Sequence, residues 1–156
     1  MQSKSSEISI RHLNQDEHDQ WLRMRIELWP ETDEKQHRKE MAMMLADSNR
    51  FAVIVCEKEQ GHLVGFAEVS LRDWAEGCLS SPVGYLEGWF IEENNRKSGL
   101  GRKLLFASED WARSRGCTEM ASDTDLDNLE SEKAHLRLGF QVAARLTAFK
   151  KPLLSG

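Results

Sequence analysis

Arg96-Lys97-Ser98-Gly99-Leu100-Gly101-Arg102-Lys103 is the stretch on which the fold reading turns. Before it lies residues 84–92, an apolar run with Tyr85, Leu86, Trp89, Phe90 and Ile91 that reads as a strand and stops at polar Glu93-Asn94-Asn95. After it, Leu100, Leu104, Ala107 and Trp111 recur at i, i+4, i+7 and i+11, a helical face that closes near Gly116. A turn between strand and helix presents the free N–H groups of the helix start and the positive end of its dipole. Gly99 and Gly101 let a ligand approach the backbone closely, and Arg96, Lys97, Arg102 and Lys103 add positive charge. Those features together suit a pyrophosphate. The segment lacks the Gly-Lys-Ser/Thr ending of a P-loop and the full Gly-x-Gly-x-x-Gly of a dinucleotide fingerprint. On these residues alone, a solvated basic turn before a helix remains the alternative.

Working outward, residues 7–13 alternate and form a short first strand. Trp21, Leu22, Met24, Ile26, Leu28 and Trp29 cover a broad helical face that Pro30 stops. Asp33 is the expected N-cap of a second helix with Met41, Met44 and Leu45 on its apolar side. Residues 51–58 and 63–72 are strands joined by the hairpin connection Glu59-Gln60-Gly61-His62, and an irregular stretch follows over 73–82. Beyond the helix that opens at Gly99, the pattern predicts a strand over 117–122, a helix over 126–138 stopped by Gly139, and a last strand within 140–152. The order β-α-α-β-β-β-α-β-α-β gives an α/β (α+β) class with one mixed central sheet. Its N-terminal half is antiparallel and its C-terminal half is β-α-β-α-β.

The chain has 156 residues with no repeat or Pro/Gly-rich linker, which predicts a single domain over 1–156 able to build a core without disulfides or metal. The 21 basic against 26 acidic residues leave a net charge of −5, which argues against nucleic acid or acidic membranes as partners and tolerates a cationic substrate. Residues 1–9 are polar and lack the apolar core of a signal peptide. The longest apolar run, residues 51–56, is far short of the roughly 20 residues a spanning helix needs. Cys56, Cys78 and Cys117 have no metal-like spacing, and neither do the histidines, so no metal is expected. Unpaired thiols suit a reducing, cytoplasmic location.

Arg-x-x-Gly-x-Gly after a strand ending Trp89-Phe90-Ile91, then a helix, a strand and a helix ending Leu138-Gly139-Phe140, resembles the GNAT superfamily of N-acetyltransferases. The resemblance implies that Arg96, Lys97, Ser98, Gly99, Leu100, Gly101 and Arg102 hold the pyrophosphate of acetyl-CoA. It also implies a bulged strand at Trp89, Phe90 and Ile91 pairing with the pantetheine arm, and Asn128 reaching the same arm. Leu28-Trp29-Pro30, Ser80-Ser81-Pro82-Val83, Leu86-Glu87-Gly88-Trp89 and Glu119-Met120-Ala121-Ser122-Asp123-Thr124 are similar to one branch, the aminoglycoside 6'-N-acetyltransferases. Relatives pair across a dimer edge, which implies a homodimer through the apolar last strand.

An aminoglycoside is a hydroxylated polycation, and a site for it needs carboxylates near its ammonium groups and flat aromatic surfaces against its rings. A charge pair at contact distance is worth about 1 kcal/mol in water and about 4 at an effective dielectric near 20, before desolvation. Glu87 within an apolar strand and Asp123 just past another are the candidate carboxylates, with Trp29, Trp74 and Glu76 on neighbouring connections. Period-2 alternation puts Glu87 on one face with Trp89 and Ile91. Glu87 facing solvent, Asp123 serving as a turn or N-cap residue, and the tryptophans serving only as packing are the alternatives. The expected chemistry is direct transfer in a ternary complex: Glu87 takes a proton from the amine through water, Asp123 orients it, and a backbone N–H near Phe90 stabilises the carbonyl oxygen.

Two departures from the branch stand out. Relatives place a Tyr near the end of the last strand, where this chain reads Leu146-Thr147-Ala148-Phe149-Lys150 and has Tyr85 as its single tyrosine. Relatives carry acids just after Gly-Phe, where this chain has Gln141-Val142-Ala143-Ala144. A GNAT enzyme acting on polyamines or protein N-termini, and a non-catalytic acetyl-CoA-binding module, are the competing readings.

Overall fold

The alternating apolar runs form a five-stranded sheet in chain order, described here by a computed structural model covering residues 7–155. The polar residues 1–6, part of the stretch read as lacking a secretion signal, lie outside the described residues. The strands are β1 (Ser9–His12), β2 (Phe51–Glu59), β3 (His62–Arg72), β4 (Val83–Ile91) and β5 (Met120–Ser122). β1–β2, β2–β3 and β3–β4 are antiparallel and β4–β5 is parallel. The helices are α1 (His18–Leu28), α2 (Glu34–Leu45), α3 (Leu100–Ser114) and α4 (Leu129–Arg137). The mixed α/β architecture matches the expected order except at its end.

The chain divides into two compact units, residues 1–123 and 124–156. In the first unit the sheet has a helical layer on each face. On one face Trp21, Leu22 and Met24 of α1 and Met41 and Met44 of α2 pack on Val53, Val55, Leu63, Phe66 and Phe90. Asp33 caps α2 as expected, accepting from the Gln36 N–H at 2.7 Å. Leu45 does not join this apolar side; it is exposed, because the residue after buried Met44 points about 100° further round the helix. On the other face lies α3. A Cβ built on Gly65 would meet Leu104, and one on Gly84 would meet Ala112.

β4 is where the sequence pattern and the structure part. Gly88 opposes Glu68 and Leu86 opposes Val69, so Glu87 is an extra residue in a β-bulge. A bulge lets two successive residues point the same way and resets the alternation beyond them. Gly88 accordingly faces Trp29, on the α1 side. Trp89 bonds α3 through its indole N–H to the Gly101 carbonyl at 2.9 Å, and Ile91 neighbours Leu104 across Gly65. The expected shared face of Glu87, Trp89 and Ile91 is therefore corrected: Trp89 and Ile91 lie toward α3, while Glu87 opens toward α1 and α2.

The second unit contains α4, whose N-cap Asn128 accepts from the Ser131 N–H at 3.1 Å. Gly139 ends it at φ +98°, and Phe140 folds back edge-on to His135 with ring centroids 5.1 Å apart. No strand forms over 140–155, which corrects the expected last strand. A strand exists only by pairing, and no described segment pairs with this one, although Arg145 does reach Glu132 at 2.6 Å.

Candidate active site

The parallel pairing of β4 with β5 is confined to residues 84–86, held at its end by the Ser122 hydroxyl donating to the Leu86 carbonyl at 3.2 Å. β4 continues to Ile91, beyond the last residue that pairs with β5. A strand that outruns its neighbour can offer N–H and C=O groups to an extended ligand. The side chains of Phe90, Ile91 and Leu100 are buried, which leaves their backbone groups as what they can offer.

The loop beyond β4 is built to present its backbone. Gly99, the residue before α3, stands at φ +85°, where a side chain is strained, and Lys97 at +63° is the one described non-glycine residue with positive φ. Gly101 lets the helix come close: a Cβ there would sit 3.2 Å from the Trp89 indole. Arg96 is tied down by its Nε donating to the Ile91 carbonyl at 2.8 Å, and Ser98 by its hydroxyl donating to the Asn95 carbonyl at 2.5 Å. Lys97 and Arg102 are exposed. The residues present therefore fit a diphosphate: a helix N-terminus of a fifteen-residue helix, a left-handed glycine before it, and cations around it.

On the opposite face of β4 a cavity of about 480 Å³ is bounded by Arg25, Trp29, Thr32, Glu40, Met44 and Glu87, among others. Its floor is a buried network. Arg25 donates to both Glu68 oxygens at 2.6 and 2.5 Å, Trp21 donates its indole N–H to Glu68 at 2.9 Å, and Arg25 also reaches Glu40. Burial pushes the Glu68 carboxyl up, and Arg25 and Trp21 pull it back. Arg25 lies 4.8 Å over the Trp29 ring and its Nε meets His37 Nδ1 at 3.2 Å, while His37 stacks on Trp29. Trp29 is thus both packed and a wall of the cavity.

Glu87 enters this cavity already partnered. Ser70 donates to Oε1 at 2.7 Å, and Arg72 makes a two-pronged contact, Nε to Oε1 at 2.9 Å and Nη2 to Oε2 at 2.8 Å. The pair is partly exposed, 41% for the Arg72 side chain and 29% for Glu87, and such pairs contribute about 0–1 kcal/mol. The Arg72 guanidinium lies on the Tyr85 ring, 3.4 Å from its centroid, and Tyr85 donates its hydroxyl to Asp123 Oδ2 at 2.5 Å. Burial, then the bond to Asp123, pushes the Tyr85 hydroxyl up and keeps it protonated. One chain of contacts therefore runs Ser70, Glu87, Arg72, Tyr85, Asp123.

The structure brings Trp29 and Glu87 to one cavity and links Asp123 to Glu87 through Tyr85 and Arg72. Trp74, 65% exposed, and Glu76, also exposed, lie on the 73–82 connection and outside the cavity wall. That connection is anchored by Glu119, which accepts from the N–H groups of Leu79 and Ser80 at 2.9 and 2.8 Å and from the Ser80 hydroxyl; these bonds hold its carboxyl below the usual range. Asn128 is the cap of α4. Sequence reasoning missed Ser70, Arg72, Tyr85, Arg25 and Glu68. For Glu68, Ser70, Arg72 and Tyr85 the signal was a polar group inside an apolar strand, and for Arg25 a charge on the apolar face of α1; both are legible only once the strand register is known. Among the described residues no group of side chains is arranged to hold a metal ion.

The sequence profile of the acetyltransferase (GNAT) family matches residues 12–140. A Klebsiella aerogenes protein named aminoglycoside N(6')-acetyltransferase type 1 is 45% identical over 135 residues, 85% of this chain and 89% of that one. Its Serratia marcescens namesake is 41% identical over 136 residues, 86% of this chain and 92% of that one. Among solved structures, the aminoglycoside N-acetyltransferase AAC(6')-Iy in complex with CoA matches at a TM-score of 0.91 and 32% identity, covering 98% of this chain and 100% of that one. AAC(6')-Iy in complex with the bisubstrate analog CoA-S-monomethyl-acetylneamine matches at 0.88 and 34%, covering 95% and 100%.

Proposed function

The chain belongs to the acetyltransferase (GNAT) family, and from that premise we propose that it transfers the acetyl group of acetyl-CoA to the 6'-amino group of aminoglycosides, conferring resistance to them. The observation that carries this reading is the bulge at Glu87. It turns one carboxylate toward an aromatic-walled cavity, while the rest of β4 runs on toward the loop at residues 96–102. A small polycation and a nucleotide-bearing thioester are then served from the two sides of one strand.

When bound, acetyl-CoA supplies an activated acyl carbon, so the protein needs no nucleophile of its own. Arg96, Lys97, Ser98, Gly99, Leu100, Gly101 and Arg102 hold its pyrophosphate, and the backbone of Trp89, Phe90 and Ile91 lies along its pantetheine arm. Glu87 accepts a proton from the substrate ammonium through water, and Asp123 orients the amine from its seat on Tyr85. The amine lone pair forms the N–C bond, the C–S bond breaks, and the electron pair leaves on the CoA sulfur. A backbone N–H near Phe90 offsets the negative charge that develops on the carbonyl oxygen. Trp29 offers a flat surface to a sugar ring, and Trp74 and Glu76 contact the substrate from the 73–82 connection.

Residues 1–156 make one N-acetyltransferase domain, in keeping with a family match that runs past residue 124 on both sides. A homodimer is favoured by the exposure of Val142, Leu146, Phe149, Leu153 and Leu154 in the C-terminal segment. The protein works in the cytoplasm, away from membranes and nucleic acid. Its cysteines are unpaired, its net charge is −5, and no helix among the described residues is long and apolar enough to cross a membrane. Thiol release from acetyl-CoA against a panel of aminoglycosides, polyamines and peptides with free N-termini tests the reading. Release with aminoglycosides supports it; release only with a polyamine or peptide, or none at all, overturns it.

A further inference from the structure

Arg72 ends β3 and reaches across to β4, where its guanidinium forks onto Glu87 and lies on the face of Tyr85. A carboxylate at the edge and an aromatic ring beneath are the two surroundings that hold an organic cation best. We infer that Arg72 is an internal cation filling the ammonium subsite between Glu87 and Tyr85, and that a polycationic substrate binds by displacing it. Arg72 is thereby a specificity-determining residue. The inference rests on the aminoglycoside reading above and names what that same site selects.

The burial of the ion pairs facing the cavity decides which can open. Arg25 and Glu68 are each 3% exposed, sealed from water and cross-linked to Trp21 and His37. Arg72 and Glu87 are 41% and 29% exposed, so water can take over the hydrogen bonds of the departing guanidinium. Sharing is disfavoured. A carboxylate has about four lone-pair positions, and Ser70 and Arg72 use three on Glu87. An ammonium arriving beside them meets a neutralised carboxylate and a like-charged guanidinium.

The balance of charge on the wall then changes with the state of Arg72. Arg25, Arg50 and Arg72 face Glu40, Glu68 and Glu87, an even count while Arg72 is in place. With Arg72 swung out the wall becomes acidic by one charge. A monoamine can only exchange one cation for another at Glu87. A substrate with several ammonium groups also comes within reach of Glu40, which is 38% exposed and held by Arg25 on one oxygen only, and so favours the displaced state. The internal cation thus acts as a threshold that polycations cross and single amines do not.

Steady-state kinetics on the parent protein, Arg72→Met and Arg72→Lys test this, with a 6'-amino aminoglycoside and a simple primary monoamine as acceptors. Arg72→Met lowers the KM of the aminoglycoside by about three- to tenfold and lowers that of the monoamine further, narrowing the selectivity between them. Arg72→Lys, which keeps a cation within reach of Glu87, returns both toward the parent values. An unchanged or raised KM in Arg72→Met, or a lysine variant that behaves like the methionine one, shows that Arg72 only positions Glu87 and overturns the inference. If the parent acetylates no aminoglycoside, the functional reading fails and takes this inference with it. If the parent does and the variants do not shift KM, this inference alone fails.

Discussion

Tyr85 donates its hydroxyl proton to Asp123 Oδ2 across 2.5 Å, tying β4 to the first residue beyond β5 where the parallel pairing ends. The bond fixes a carboxylate that would otherwise swing at a strand end. Tyr85→Phe keeps the ring on which Arg72 lies and removes only this donor. It is expected to cost about 1.5–3 kcal/mol in urea denaturation, the range for a hydrogen bond to a charged group. With Asp123 released, the KM of the aminoglycoside rises by about an order of magnitude, which initial-rate measurements will read.

Gly88 is required by Trp29. An alanine Cβ at that position would lie 2.6 Å from Cη2 and 3.0 Å from Cζ2 of the indole, which is wedged against Phe66 and His37. Gly88→Ala is expected to lose about 1–3 kcal/mol through overpacking and to raise the aminoglycoside KM, since the indole that yields is a cavity wall. Unfolding and kinetics should move together; a stable variant with parent kinetics would show that the indole has room.

The buried Arg25–Glu68 pair holds α1 to β3 beneath the cavity. Arg25 keeps Glu40 when Glu68 is lost, but removing Arg25 leaves Glu68 buried without a cation, so Arg25→Met should cost about 3–5 kcal/mol. The double variant Arg25→Met/Glu68→Leu should recover much of that loss, because no lone charge remains buried. Urea denaturation of the two variants and the parent gives the comparison directly.

Arg11 and Glu17 make the acid-sensitive contact of the N-terminal strand. Arg11 donates to both Glu17 oxygens at 2.8 and 2.7 Å, and that guanidinium holds the Glu17 carboxyl below its usual value of 4.5. A depressed carboxyl contributes stability that is fully present above the unfolded value and is lost as pH falls through the folded one. Glu17→Gln should therefore be less stable than the parent by about 1–2 kcal/mol at pH 7. The gap should close below pH 4.5, which denaturation at a series of pH values will show.

Much of this architecture is written in local chemistry. The strand, basic glycine turn and helix around Gly99 are legible because positive φ, a helix start and an apolar 3.6-residue period each leave their own mark. Asp33 as the α2 cap follows for the same reason. The bulge at Glu87 leaves no such mark. Alternation is a two-residue rule, and an inserted residue is visible only against the partner strand. Arg72 and Tyr85 escaped notice likewise, since their meeting depends on the register of β3 with β4. Residues 140–152 have strand-like composition, yet pairing is a tertiary fact, and no described segment of the chain supplies a partner.

Acetylation falls on the amine that Glu87 serves. Acetyl-CoA turnover on a matched pair of kanamycin-type aminoglycosides, one bearing a 6'-amino and the other a 6'-hydroxyl group, with the product's acetylated nitrogen located by NMR, isolates it. The prediction is acetylation of the 6'-nitrogen in the first compound, none in the second, and loss of most of the rate in Glu87→Gln. Equal turnover of the two compounds, acetylation at another nitrogen, or a Glu87→Gln variant as fast as the parent would contradict it.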